Sequence, residues 1–195
     1  MEDIIEGMRG TDFNSASELI EVLDEEGVST GKAVTRKEIY KKGLWHRGVI
    51  VAIVNNNNEV LMQQRANTKD KYPGKWDLSV AGHIPFGEDS LSAVFSETME
   101  EIGYTLPKKL TVQDFRFITS FRNRFKLAED YIGNQFYDFF VLNAEVPIEK
   151  LILQKKEVQD VRYTSLTALL KMRDDKVLHP RTEWVDALIR YLKRQ

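Results

Sequence analysis

The chain of 195 residues contains no cysteine, which excludes disulfides, thiolate metal sites and cysteine nucleophiles. Charge of one sign is also missing. Against 30 Asp and Glu there are 28 Lys and Arg, a formal net charge of -2, so neither a basic nucleic-acid footprint nor an acidic solvating tail is indicated. No apolar run is long enough to cross a bilayer, and no membrane partner is expected. The opening segment MEDIIEGMRG lacks the basic region and apolar core of a secretion signal, which makes the cytoplasm the expected location. Internal repeats and low-complexity linkers are absent as well. What remains, 42% hydrophobic and 30% charged residues, describes an ordinary globular protein. A single domain over residues 1–195 is expected, with a tail at 1–16, a core over about 19–172 and a closing helix over about 181–193.

Hydrophobic periodicity divides the core. Leu19–Leu23 reads as a strand, EEGVSTG as turn, and TRKEIYKKG as a short helix ended by Gly43. The β-branched run Gly48–Val54, the four asparagines 55–58 and the apolar run Glu59–Gln64 read as a hairpin. Trp76–Val80 reads as one strand feeding the glycine at 82. Phe115, Phe117, Thr119 and Phe121 alternate with polar residues, Gln135–Leu142 is aromatic-rich, and Val158–Tyr163 completes the strands. Leu166–Met172 is expected as a short helix. The last helix carries Trp184, Ala187, Leu188, Tyr191 and Leu192 on one face, as a helix docked on a core should. The exposed aromatic strands are compatible with a homodimer.

The chemistry is concentrated in GHIPFGEDSLSAVFSETMEEIGY, residues 82–104. From 91 to 102 the apolar positions Leu91, Val94, Phe95 and Ile102 recur at helical spacing, with Thr98 among them, and this defines a buried face. Glu97, Glu100 and Glu101 are expected on the other side. Like charges three and four residues apart cost a helix roughly 0.2–0.5 kcal/mol per pair, a repulsion that a divalent cation would relieve. Mg²⁺ takes oxygen ligands, commonly one or two carboxylates together with substrate phosphates. An acidic face that holds such an ion implies a phosphorylated substrate. Arg65, Lys69 and Lys71, on the strand end and loop before Trp76, are the candidates to grip its oxygens.

Gly82, Glu88, Glu97, Glu100, Glu101 and Gly103 stand at the spacing of the Nudix box, and the chain resembles Nudix proteins over roughly Leu19–Met172. The box departs from the family pattern at Ser96, where the family has arginine, and at Thr98, where it has an apolar residue. WHRG at 45–48, LMQQR at 61–65, Lys69, YPGKW at 72–76 and SVAGH ending at His83 make it most similar to the branch that includes isopentenyl diphosphate isomerase. In that branch the isomerases carry a catalytic cysteine where Ala81 stands, so no thiol is present for the allylic proton transfer.

The resemblance implies an α/β fold, an α/β/α sandwich around a mixed sheet, and Mg²⁺-dependent hydrolysis of a diphosphate bond in a nucleoside diphosphate derivative or similar phosphoanhydride. Mn²⁺ is the alternative ion. It implies Gly82, Glu97, Glu100 and Glu101 as the metal site, and Glu100, Glu101 and Glu157 as the catalytic set, with Glu101 and Glu157 both open as general base. Two other readings remain: an isopentenyl diphosphate isomerase-like protein, and a Nudix fold that binds a phosphorylated ligand without turnover. His46 and His83 match isomerase residues that bind a second metal, or are hydrogen-bonded histidines beside the cleft. Glu88 is either a metal-site or a helix-start carboxylate. Tyr137 and Asp138 fall near the isomerases' cleft carboxylates, or are polar residues exposed on a strand.

Overall fold

Trp45–Val54 is buried along almost its whole length, and a strand with no polar alternation must be covered on both faces. The computed structural model bears this out; it describes residues 17–69, 72–101, 109–151, 153, 155 and 158–194. The expected tail at 1–16 and the box residues Ile102, Gly103 and Tyr104 lie outside these. In chain order the strands are β1 (Leu19–Leu23), β2 (Ser29–Thr35), β3 (Trp45–Val54), β4 (Val60–Arg65), β5 (Trp76–Leu78), β6 (Val80–His83), β7 (Phe115–Ala128), β8 (Tyr131–Asn143) and β9 (Val158–Thr164). The helices are α1 (Arg36–Lys42), α2 (Ser90–Glu101), α3 (Leu166–Asp174) and α4 (Glu183–Leu192).

The nine strands among the described residues join one sheet, with β3 near its centre. Along one edge β3 runs parallel to β8, from Trp45 opposite Asn134 to Val54 opposite Asn143. Its other edge is antiparallel to β6, where Gly48 faces His83 and Val51 faces Val80. The sheet is therefore mixed. The side chains of β3 alternate between two cores. Ile50, Ala52 and Val54 pack with Leu169, Trp184 and Leu188 of α3 and α4, while Val49, Val51 and Ile53 pack with Ala93 and Val94 of α2. This is the expected α/β/α sandwich. Trp184 is wholly buried in the first core. Trp184→Ala should cost about 3–5 kcal/mol of stability, measured by denaturant unfolding, because the cavity left behind cannot fully collapse.

Several boundaries differ from the sequence reading, each for a local reason. Ser29–Gly31, expected as the end of a turn, and Thr35, expected at the start of a helix, belong to strand β2, paired along β1 from Leu19 opposite Thr35. As a polar edge strand, its first four residues exposed, it shows no apolar alternation. Trp76–Val80 is two strands rather than one. At Ser79 the side chain replaces the ladder, its hydroxyl accepting from Ile53 N (2.9 Å) and donating to Leu61 O (2.6 Å). β5 then pairs with β4, and β6 with β3. The β7–β8 hairpin also extends further than the alternation at 115–121 suggested, reaching Ala128 opposite Tyr131. At the other end, α4 begins at Glu183, with the non-helical Thr182 (φ -112°, ψ 6°) at its N-cap position and Arg181 before it in a buried ion pair. The expected stop at Gly43 holds, in the left-handed conformation (φ 60°) that lets its N–H cap α1.

Candidate active site

α2 starts where Asp89 accepts from Ser92 N at 2.7 Å, an N-cap that draws the Asp89 carboxyl below its ordinary range. The first residue of the helix is tied to the sheet by Asp138 of β8, whose Oδ2 accepts from Ser90 Oγ (2.5 Å). The other oxygen, Oδ1, accepts from Arg47 Nη1 (2.8 Å) and Ser120 Oγ (2.5 Å). Asp138 and Tyr137 are therefore not strand-exposed; each is 7% accessible. Tyr137 donates its hydroxyl to Gln135 Oε1 at 2.6 Å. Anchored in this way, α2 lays its last turns across β6.

At that crossing the Glu97 side chain occupies the space a Cβ would need. A Cβ on Gly82 would stand 1.9 Å from Glu97 Oε1 and 2.1 Å from its carboxyl carbon. Glu97 thus faces the sheet rather than sharing an outer face with Glu100, which is exposed. Burial pushes the Glu97 carboxyl up to about 7, and the nearby Glu100, Glu18 and Glu88 carboxylates push the same way against Arg36. Glu97, Glu100 and Glu101 border one cavity of about 240 Å³ together with Arg65, Asp77 and Ala81. No three His, Asp or Glu side chains among the described residues converge closely enough to hold a metal ion as they stand. The donor set nonetheless suits a hard cation: all oxygen, crowded, and with one carboxyl raised by burial and by the acids around it.

A second chamber of about 260 Å³ shares Arg65, Asp77, Ala81 and Glu97 with the first as bordering residues. At the junction Asp77 accepts from Arg181 Nη2 at 2.8 Å, the two side chains only 4% and 6% exposed. Burial alone would raise the Asp77 carboxyl, but Arg181, His179 and the Leu78 N–H together hold it below its ordinary value. Burial would likewise depress Arg181, yet Asp77 keeps it firmly protonated. The pair is ionised. A lone aspartate in the short strand WDL was the one available sequence signal, since a charge between two core residues needs a partner. Glu18, 3.8 Å from Arg36, also borders the second chamber and carried no such signal.

The remaining candidates are distributed as follows. Lys69 donates its backbone N–H to Ala66 O (3.1 Å) and borders neither chamber. Lys71 and Glu157 lie outside the described residues. Glu88 borders a separate, smaller hollow with Ile84 and Pro85, apart from Glu100 and Glu101. His46 is wholly buried with Nδ1 3.1 Å from Leu44 O, and His83 Nε2 lies 2.8 Å from Tyr40 Oη. Their rings stack at 5.8 Å between centroids. Ser96, at the position of the box arginine, is exposed.

A mixed sheet between two helical layers, with a glutamate-bearing helix seated on a strand glycine, defines the Nudix fold. The NUDIX domain model matches residues 44–185. The chain is 38% identical over 153 residues to Nudix hydrolase 3 of Arabidopsis thaliana, covering 76% of the present chain but only 19% of that much longer protein. An uncharacterized Nudix hydrolase of Listeria monocytogenes is 30% identical over 78% of this chain and 83% of its own length. Isopentenyl-diphosphate Delta-isomerase 2 of Photorhabdus laumondii is 28% identical over 77% of each chain. Among solved structures, DR0079 from Deinococcus radiodurans superposes with a TM-score of 0.65 at 15% identity, covering 89% of this chain and 98% of the other. The NUDIX domain of Shewanella oneidensis NrtR, complexed with ADP ribose, superposes with a TM-score of 0.52 at 16% identity over 75% of this chain and 87% of that one. The chain belongs to the NUDIX family. Within it, the protein is a homologue of Nudix hydrolases and is similar to isopentenyl diphosphate isomerases. No helix among the described residues is long and apolar enough to cross a membrane.

Proposed function

We propose that the protein is a Mg²⁺-dependent hydrolase that cleaves the diphosphate bond of a nucleoside diphosphate derivative, with Mn²⁺ able to substitute. The observation that carries this reading is Glu97. It is pressed onto Gly82, its carboxyl raised to about 7 by burial and by the neighbouring acids, on the wall of a cavity shared with Glu100, Glu101 and Arg65. In this reading the Gly82 carbonyl, Glu97, Glu100 and Glu101 hold the ion. When bound, the ion neutralises phosphate oxygens that would otherwise repel an incoming water. Arg65 borders both chambers and grips the phosphate oxygens through charge-assisted hydrogen bonds, with Lys71 of the following loop as the further candidate. Glu101 or Glu157 takes the proton of the attacking water. The isomerase alternative draws no support from the junction, where Ala81 offers a methyl group in place of a group that moves protons.

The test is incubation of the pure protein with Mg²⁺ and a panel containing ADP-ribose, other nucleoside diphosphate derivatives and isopentenyl diphosphate. Phosphate-containing cleavage products from the nucleotides are expected. A silent nucleotide panel, or conversion of isopentenyl diphosphate to its dimethylallyl isomer, overturns the reading.

The raised Glu97 carboxyl also sets a pH dependence. Because its folded value lies above the ordinary carboxylate value, its contribution to stability is complete below about 4.5 and is lost as pH rises through about 7. Metal binding requires the ionised form and so competes with protons. Mg²⁺ or Mn²⁺ should therefore raise the melting temperature clearly at pH 8 and far less at pH 5.5. An equal rise at both would show that the ion does not bind at Glu97.

A further inference from the structure

Three residues lie side by side across the centre of the sheet, because Val49 of β3 pairs with Asp138 of β8 on one edge and with Gly82 of β6 on the other. Residues paired in this way share a face of the sheet. Neighbouring strands are about 4.8 Å apart, which separates Asp138 from Gly82 by about 10 Å. On α2, Ser90, Val94 and Glu97 follow at intervals of four and three and form one stripe; at a rise of about 1.5 Å per residue, Ser90 and Glu97 are also about 10 Å apart. The two spacings match. Ser90 Oγ donates to Asp138 Oδ2 (2.5 Å), Val94 joins the core that contains Val49, and Glu97 rests on Gly82.

The three contacts do not hold the helix equally. Apolar contact is non-directional, so Val94 against Val49 resists neither a slip nor a turn, and Gly82 presents no side chain to grip. Farther along α2, Ser96 is exposed, and the wholly buried Thr98 hydroxyl has no hydrogen-bond partner among the described residues. Asp138 does grip. Its carboxylate is fixed by Arg47 Nη1 (2.8 Å) and Ser120 Oγ (2.5 Å), and Arg47 Nη2 donates in turn to Gly27 O (3.2 Å) in the β1–β2 turn. We infer that Asp138 is a positioning residue for the metal site: through Ser90 it sets the register of α2, and so delivers Glu97 to Gly82 and Glu100 and Glu101 to the first chamber. Asp138 itself borders neither chamber. The inference rests on the metal-site reading above. A slip of one residue turns a helix by about 100° and advances it by about 1.5 Å, which carries Glu97 off the glycine.

Asp138→Ala would leave Arg47 without its carboxylate and cost stability by itself, so Ser90→Ala is the deciding variant. It removes the tie to α2 and keeps Asp138 paired with Arg47 and Ser120. Mn²⁺ binding at pH 8, followed by electron paramagnetic resonance, should weaken about tenfold in Ser90→Ala and stay within about twofold of the parent in Ser90→Thr, which restores the hydroxyl. The control is a second helix-start serine. Ser165 Oγ caps α3 in the opposite layer by accepting from Ala168 N (3.3 Å), so Ser165→Ala should lower the melting temperature as much or more and leave Mn²⁺ binding unchanged. In the metal-free protein, α2 amides should exchange hydrogen faster in Ser90→Ala and at the parent rate in Ser165→Ala. Mn²⁺ binding in Ser90→Ala equal to the parent, an equal loss in Ser165→Ala, or a Ser90→Thr variant as weak as Ser90→Ala each overturns the inference. The two readings fail differently. Parent protein that leaves Mn²⁺ free removes the metal site and the positioning role together, whereas equal binding by parent and Ser90→Ala removes only the positioning role.

Discussion

Glu100→Gln is expected to lower nucleotide hydrolysis on the order of a hundredfold to a thousandfold while leaving the melting temperature of the metal-free protein unchanged or raised. The substitution keeps the shape of the side chain and removes one negative charge from the wall of the first chamber. Glu100 is exposed, so its amide strands no buried polar group, and the loss should fall on the rate alone. A second consequence follows inside the protein. Glu100 is, after burial, the largest influence raising the Glu97 carboxyl, so that carboxyl should move back toward its ordinary value in the variant. NMR titration of the Glu97 carboxyl carbon reads this shift independently of activity. Unaltered hydrolysis in Glu100→Gln would remove Glu100 from the catalytic set.

Asp77→Ala is expected to be the most destabilising change near the site. It leaves the Arg181 guanidinium, 5% exposed, without its carboxylate in the floor between the chambers. Removing one partner of a buried pair costs about 3–5 kcal/mol, because the remaining charge is desolvated without compensation. At this chain length that corresponds to a fall in melting temperature of about 6–20 °C. The double change Asp77→Leu with Arg181→Met should recover much of the loss, since two apolar groups desolvate no charge. A melting temperature for Asp77→Ala within about 2 °C of the parent would mean that the pair carries no buried charge in solution.

These expectations depend on contacts of unequal visibility in the sequence. That Glu97, Glu100 and Glu101 stand on one helix was legible from helical spacing without knowledge of the rest of the chain. Trp184, Ala187, Leu188 and Tyr191 of α4 were legible for the same reason, and all are buried. The hairpin at Asn55–Asn58 was legible from its turn chemistry; Asn58 has φ 58°, and Asn55 Oδ1 accepts from Asn57 N and Glu59 N. What the sequence did not disclose depends on long-range pairing. Asp77 and Arg181 are 104 residues apart, and nothing local links them. The break at Ser79 is made by a hydroxyl that bridges β3 and β4, whereas the local pattern reads straight through it. The inward turn of Glu97 depends on β6 lying beneath α2 with glycine at the contact point, so helical periodicity alone placed it on the outer face.

The account rests on Glu97 and its neighbours binding a divalent cation, and Mn²⁺ titration followed by electron paramagnetic resonance measures that without a substrate. The parent protein should bind Mn²⁺ at pH 8, Mg²⁺ should compete for the same site, and Glu97→Gln should weaken binding by about tenfold to a hundredfold. Parent protein that leaves Mn²⁺ free in solution at pH 8, or a Glu97→Gln variant that binds it equally well, would contradict the account.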